Sequence, residues 1–314
     1  MNSNENNSPP LDSAPAPPYD SAANVDSGQR VAPSEAPHVD MAHGAATAAP
    51  FENVPAPLTS VPDDISVPWG WTDLFLFLVL GIAGFVLISL FVGLALAMSG
   101  ADFHRIQKSP TDLNLLSILI QVLLDLGLLA YLAAQMRLRF HSPFWRTIGW
   151  RKLDASRISP PAYYLGLVLS GLFLSIIVAL GSALSPPKKN LPIQSLFQDR
   201  YATLLFMLLA VLLAPVVEET IFRGYIYPVI ARSFGKVWGI FATGALFGLL
   251  HASQLWGGWS QIALLVFVGI VLTLARAVSR SVTASFVIHT SYNSLQVIGL
   301  LVATHGLKHL PGMP

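Results

Sequence analysis

The chain has 314 residues, 53% of them apolar and 11% charged, where a soluble domain carries about a quarter charged residues; this excludes an ordinary soluble protein and predicts an all-α, membrane-embedded one. The lack of cysteine excludes a disulfide framework, a thiolate metal site and a cysteine nucleophile. The net charge of +1 hides a division: residues 1–66 hold nine acidic residues against Arg30 alone, and the rest of the chain holds seventeen basic against eight acidic.

Residues 1–66 also contain eleven of the 23 prolines, among Ala, Ser, Asn and Asp, with little apolar periodicity. They are expected to form a disordered, acidic tail. His38 and His43 are too isolated there to suggest a metal site. The start of the chain has neither the basic residues nor the apolar core of a secretory signal, so the first membrane helix is expected to act as its own insertion signal.

From Trp69 onward the composition changes. A membrane span needs roughly 20 mostly apolar residues. Candidates are 74–98, 113–134, 162–184, 201–230, 237–251, 261–275 and 282–303. The first is free of charge and preceded by Trp69 and Trp71, placed as an interfacial belt. Pro215 and Pro228 lie in the fourth, and proline kinks or breaks helices. The expected fold is therefore a polytopic bundle of seven helices, or eight if the fourth is two. Its parts are 1–66 as tail, 67–200 as N-terminal membrane helices and loops, 201–303 as the helical core and 304–314 as a C-terminal tail.

Loops on the side of the tail collect ten Lys and Arg residues against six on the other, which predicts a cytoplasmic tail, and the tail together with the lack of targeting signals suits a bacterial plasma membrane. Lipids and a membrane-associated substrate are the expected partners, and no nucleic acid is. The spans show no internal repeat of the kind that marks many transporters.

Ionisable residues inside spans are costly and mark candidate functional sites. In EETIFR, Glu218 and Glu219 are adjacent and Arg223 follows the second by four, so Glu219 and Arg223 share a helix face while Glu218 points elsewhere. FGLLH sets Phe247 and His251 one turn apart, and HTSYN does the same for His289 and Asn293. Taken singly, Glu219–Arg223 reads as a structural ion pair, His251 as an interfacial histidine, His289 with Asn293 as interhelical hydrogen bonding and Phe247 as packing. Taken jointly, they supply a carboxylate, two imidazoles and a carboxamide, which can activate water and stabilise an oxyanion, as amide hydrolysis requires. Gln121 and Asp125, also one turn apart, read as a helix contact.

With EETIFR, FGLLH and HTSYN in that order, the sequence resembles the CPBP family of intramembrane proteases, the CAAX protease and bacteriocin-processing family, whose pattern is EExxxR, FxxxH and HxxxN or HxxxB. The likeness covers about residues 201–303. It implies an all-helical endopeptidase cutting a membrane-associated peptide, CAAX-like or bacteriocin-like. It further implies that Glu218 activates the water, His251 positions or deprotonates it, and His289 and Asn293 stabilise the oxyanion. Glu219 and Arg223 would hold Glu218 in place. His305 and His309 match no element of the pattern.

Two mechanisms stay open. Glu218, His251 and His289 could bind Zn²⁺, or carboxylate and imidazole could suffice alone. The metal-free base is preferred, since Glu218 and His251 already supply acid/base chemistry and no HExxH pair is present. The competing functions are a non-catalytic membrane scaffold or immunity factor and, ranked last, a proton-coupled transporter.

Overall fold

A computed structural model describes residues 62–153, 159–185 and 191–310. The expected tail therefore lies outside the described residues up to 61, as do His38, His43 and the last four residues of the C-terminal tail. Every regular element described is helical. The longest are α1 (Trp71–Met98), α3 (Pro110–Ala134), α5 (Pro160–Leu184), α10 (Trp259–Ser279) and α11 (Val282–Ala303). Between them run α2 (Phe103–Lys108), α4 (Phe144–Ile148), α6 (Arg200–Leu212), α7 (Ala214–Glu218), α8 (Tyr227–Phe234) and α9 (Lys236–Leu250).

Among the described residues, five helices are long and apolar enough to cross a membrane, or six if the 3-10 turn Pro192–Gln198 and α6, bent by 117°, count as one span. The count of seven or eight is not reached, for two physical reasons. The fourth segment breaks at Leu213, just before Pro215, which has no amide hydrogen to continue the helix. The 15-residue α9 covers only about 22 Å at 1.5 Å per residue. By contrast α10 is longer than its apolar stretch, extending over Ser260 and Gln261 at one end and Arg276 at the other.

After the break, Glu219–Ile226 widens into a π-helix before α8 begins. The wider register suits Pro228, which lacks the donor an α-helix would need there, and the amide of Tyr227 reaches back to the Phe222 carbonyl. Small residues then let the helices close on this element. A Cβ on Gly244 would lie 2.6 Å from the Ile270 nitrogen, and one on Gly269 would lie 2.5 Å from the Gly244 carbonyl oxygen. Gly244 and Gly248 thus form a GxxxG contact that seats α9 against α10. Gly171 does the same for α5 against α11, where a Cβ would meet the Ile288 carbonyl oxygen at 2.3 Å. The core between these helices contains Leu174, Phe222, Phe247, Leu272, Ile288 and Tyr292.

Pro62–Ser66, at the end of the expected tail, forms a turn with Asp64 and Ile65 buried. Asp64 lies against Arg276 at 3.6 Å and Lys236 at 3.7 Å, and its carbonyl accepts from Arg276. Trp69, expected at the membrane interface, is 1% exposed and donates its indole hydrogen to the Tyr225 carbonyl. Arg232 donates to the carbonyls of Val67 and Trp69. This strap therefore closes over one end of the π-helix and α8.

Candidate active site

The two glutamates of EETIFR end up in opposite environments. Glu219 is fully buried, while the side chain of Glu218 is 22% exposed. Glu219 Oε1 accepts from Arg223 Nη1 at 3.0 Å, the i,i+4 pair the spacing predicts. The Arg223 guanidinium, also fully buried, gives further hydrogen bonds to the Gly269 carbonyl at 2.9 Å and Thr273 Oγ1 at 3.3 Å. It lies 4.6 Å from the centre of the Phe247 ring. A buried guanidinium is tolerated only when its charge is paired and its donors are met, and here α10 supplies what Glu219 alone cannot.

His289, on α11, is held by the same carboxylate: its Nδ1 and Glu219 Oε1 are 2.9 Å apart. Because a carboxylate in this position accepts, Nδ1 carries the hydrogen, and Nε2 is turned toward Glu218 Oε2, 3.7 Å away. His251 sits at the end of α9, where its Nδ1 lies 2.9 Å from the Phe247 carbonyl. The carbonyl likewise fixes the hydrogen on Nδ1 and leaves Nε2 facing Glu218 Oε1 at 4.0 Å. Phe247 is more than distant packing. Its ring is tilted against His251, with centroids 5.1 Å apart, and edge-on to His289, with centroids 5.8 Å apart.

Glu218, His251 and His289 are thus brought together from three elements. Asn293, one turn after His289 on α11, donates from Nδ2 to the Ala210 carbonyl at 2.7 Å, tying α11 to α6 just ahead of the break. The sequence reading missed Gly269 and Thr273, whose one-turn spacing on α10 was the available signal. It also missed Trp150, whose indole donates to Thr220 Oγ1 beside the glutamates.

Among the described residues, no three His, Asp or Glu side chains are grouped so as to hold a metal ion. Ligand atoms on one tetrahedral Zn²⁺ with bonds of about 2.0–2.1 Å stand about 3.4 Å apart. The two imidazole Nε2 atoms lie 4.0 and 3.7 Å from the Glu218 oxygens.

A stretch ending just beyond Asn293 carries a family signature. Residues 200–295 match the family model for Rce1-like type II CAAX prenyl endopeptidases. The resemblance to the CPBP proteases stands. The matched stretch begins with α6 and contains all three sequence motifs, and α1 to α5 lie outside it. With several apolar helices, the match supports an integral membrane protein of the CAAX endopeptidase type. Comparisons with curated proteins and with solved structures give no match.

Proposed function

We propose that this chain is an intramembrane endopeptidase in which Glu218 activates a water without a metal. The observation that carries the reading is the convergence of one partly accessible carboxylate with two imidazole Nε2 atoms, at 3.7 and 4.0 Å. These separations are too long for direct hydrogen bonds, yet one water can bridge each gap. Glu218 takes a proton from that water, and the oxygen adds to the carbonyl carbon of the scissile amide. The carbonyl oxygen becomes the oxyanion. As the C–N bond breaks, Glu218 returns the proton to the leaving nitrogen, so the base is regenerated and the products are an acid and an amine. His251 orients the water through Nε2. His289, locked by Glu219, presents Nε2 to the same centre. Asn293 acts by holding α11 against the broken helix.

The substrate is a membrane-associated peptide, and the family match favours a CAAX-type C-terminal sequence over a bacteriocin-like one. The test is incubation of the purified chain and its Glu218→Gln variant with a membrane peptide library, with and without chelator. Cleavage should fall by roughly 10²–10⁴-fold in the variant, the usual contribution of a general base, and should survive chelation. Equal turnover by Glu218→Gln would remove the proposed base, and loss of wild-type activity on chelation, restored by zinc, would replace it with a metal mechanism.

A further inference from the structure

Helices α1 and α3 lie side by side, and two glycines bring them into contact. A Cβ on Gly81 would lie 3.8 Å from a Leu128 methyl, and one on Gly84 would lie 3.5 Å from a Leu124 methyl. Farther along α1 the two helices part: a Cβ on Gly93 would meet nothing within 4 Å. The short helix α2 folds back across this opening. Together the three helices surround a cavity of about 270 Å³, lined by Val92, Gly93 and Leu96 of α1, Phe103 and Ile106 of α2 and Leu116 of α3. Gln121 and Asp125, joined by their own hydrogen bond, are on another face of α3. A held water needs about three polar partners. This lining offers it little, since Ser89 spends its hydroxyl on the Phe85 carbonyl and only the Gln107 carboxamide is left. The cavity is also open to the outside, because Phe103 lines it and is still 49% exposed.

The length of α1 sets the depth of this cavity. Its 28 residues extend about 42 Å at 1.5 Å per residue, which matches a bilayer of about 40–45 Å with its headgroups. Helix α2, just beyond Met98, is therefore at headgroup level, and Gly93 is about 8 Å deeper, among acyl chains. Helix α2 carries Arg105 and Lys108, both exposed, and among the described residues neither forms a salt bridge. The acids nearby serve helix starts instead: Asp102 accepts from the Arg105 amide, and Asp112 is in the first turn of α3.

We propose that the cavity holds one acyl chain of a resident phospholipid whose phosphate is met by Arg105 and Lys108. A phospholipid joins in one molecule the hydrocarbon that the cavity fits and the anion that the two cations lack. The lipid fills the gap where α1 leaves α3 and so supports the far end of α1, where Val92 is the one buried residue beyond Phe77. The proposal is independent of the endopeptidase reading, since the cavity is lined entirely by residues outside the matched stretch 200–295.

The experiment uses the full chain in phosphatidylcholine vesicles containing a small share of phosphatidylglycerol with a photoactivatable diazirine on one acyl chain. After illumination, peptide mapping compares labelling of Leu96, Phe103 and Leu116 with that of Phe91, which is 70% exposed on the other side of α1. A resident chain should label the cavity residues about 10-fold more than Phe91, and Gly93→Phe, which fills the cavity, should bring the ratio within about 2-fold. Gly93→Ala, whose methyl enters open space, should keep the enrichment. A diacylglycerol with the same diazirine chain and no phosphate should label the cavity about 10-fold less than the phospholipid, and Arg105→Gln with Lys108→Gln, outside the membrane span, should erase that difference. Even labelling around α1 in wild type, or enrichment that survives Gly93→Phe, overturns the proposal. So does equal labelling by diacylglycerol, which would leave an apolar crevice without a headgroup contact. Displacement of the probe by a lipidated peptide but not by unlabelled phospholipid would assign the cavity to a substrate and overturn it as well.

Discussion

Glu219 holds His289. One carboxylate oxygen receives both the Arg223 guanidinium, at 3.0 Å, and the His289 Nδ1–H, at 2.9 Å, with all three side chains buried. The adjacent glutamates thus divide the work. Glu219 neutralises a cation and orients a ring, and Glu218 is left to face that ring's other nitrogen.

This division predicts different failures for two isosteric changes. Glu219→Gln leaves the Arg223 charge buried without its partner, and breaking a buried pair in this way costs about 3–5 kcal/mol. Thermal unfolding in detergent should show a large fall in melting temperature for Glu219→Gln, and no comparable fall for Glu218→Gln, whose carboxylate is partly accessible. Equal destabilisation by both would mean that Glu218 also holds the bundle together.

The contrast shows what the sequence could disclose. The pair Glu219–Arg223 and the facing pair Phe247–His251 were legible because they lie one turn apart on one helix, where spacing alone sets the face. That His289 would be gripped by Glu219, seventy residues away, was not legible, because no local pattern encodes a contact between helices. Asn293 illustrates the same limit: its spacing from His289 was read correctly, but its hydrogen bond goes to Ala210, on a helix whose break depends on Pro215. The span count is not confirmed where prolines and a short helix replace uninterrupted apolar runs. The strap was hidden by composition, since Pro62, Asp63 and Asp64 continue the character of the tail before them, although Asp64 meets Arg276 in the fold.

The strap yields a second prediction. A chain beginning at Pro62 keeps Asp64 beside Arg276 and Trp69 on the Tyr225 carbonyl, whereas one beginning at Trp71 loses both. The longer chain should unfold and cleave like the full protein. The shorter should melt at markedly lower temperature, as should Trp69→Ala in the full chain, since removing a buried Trp side chain costs about 3–5 kcal/mol. Matching melting curves for all of them would show that the strap bears no load.

The distribution of cations gives a third prediction, about sidedness. Arg232 binds the carbonyls of Val67 and Trp69, Arg276 and Lys236 meet Asp64, and Arg139 pairs with Asp73. The Ser281 and Thr283 hydroxyls donate to the Arg151 carbonyl. Basic residues far apart in sequence are therefore gathered at the end of the bundle where α1 begins. An excess of Lys and Arg favours the cytoplasmic side, so this end should face the cytoplasm. The loop after His251, at the other end of α9 from Lys236, should face outward. That loop follows directly on His251, whose Nε2 lies 4.0 Å from Glu218 Oε1. The chain contains no cysteine, so a single introduced thiol reports its own position. In intact cells a membrane-impermeant maleimide should label Ser253→Cys and leave Lys152→Cys unlabelled until the cells are opened. The reverse pattern would place the basic end outside and give cytoplasmic peptides the direct route to Glu218.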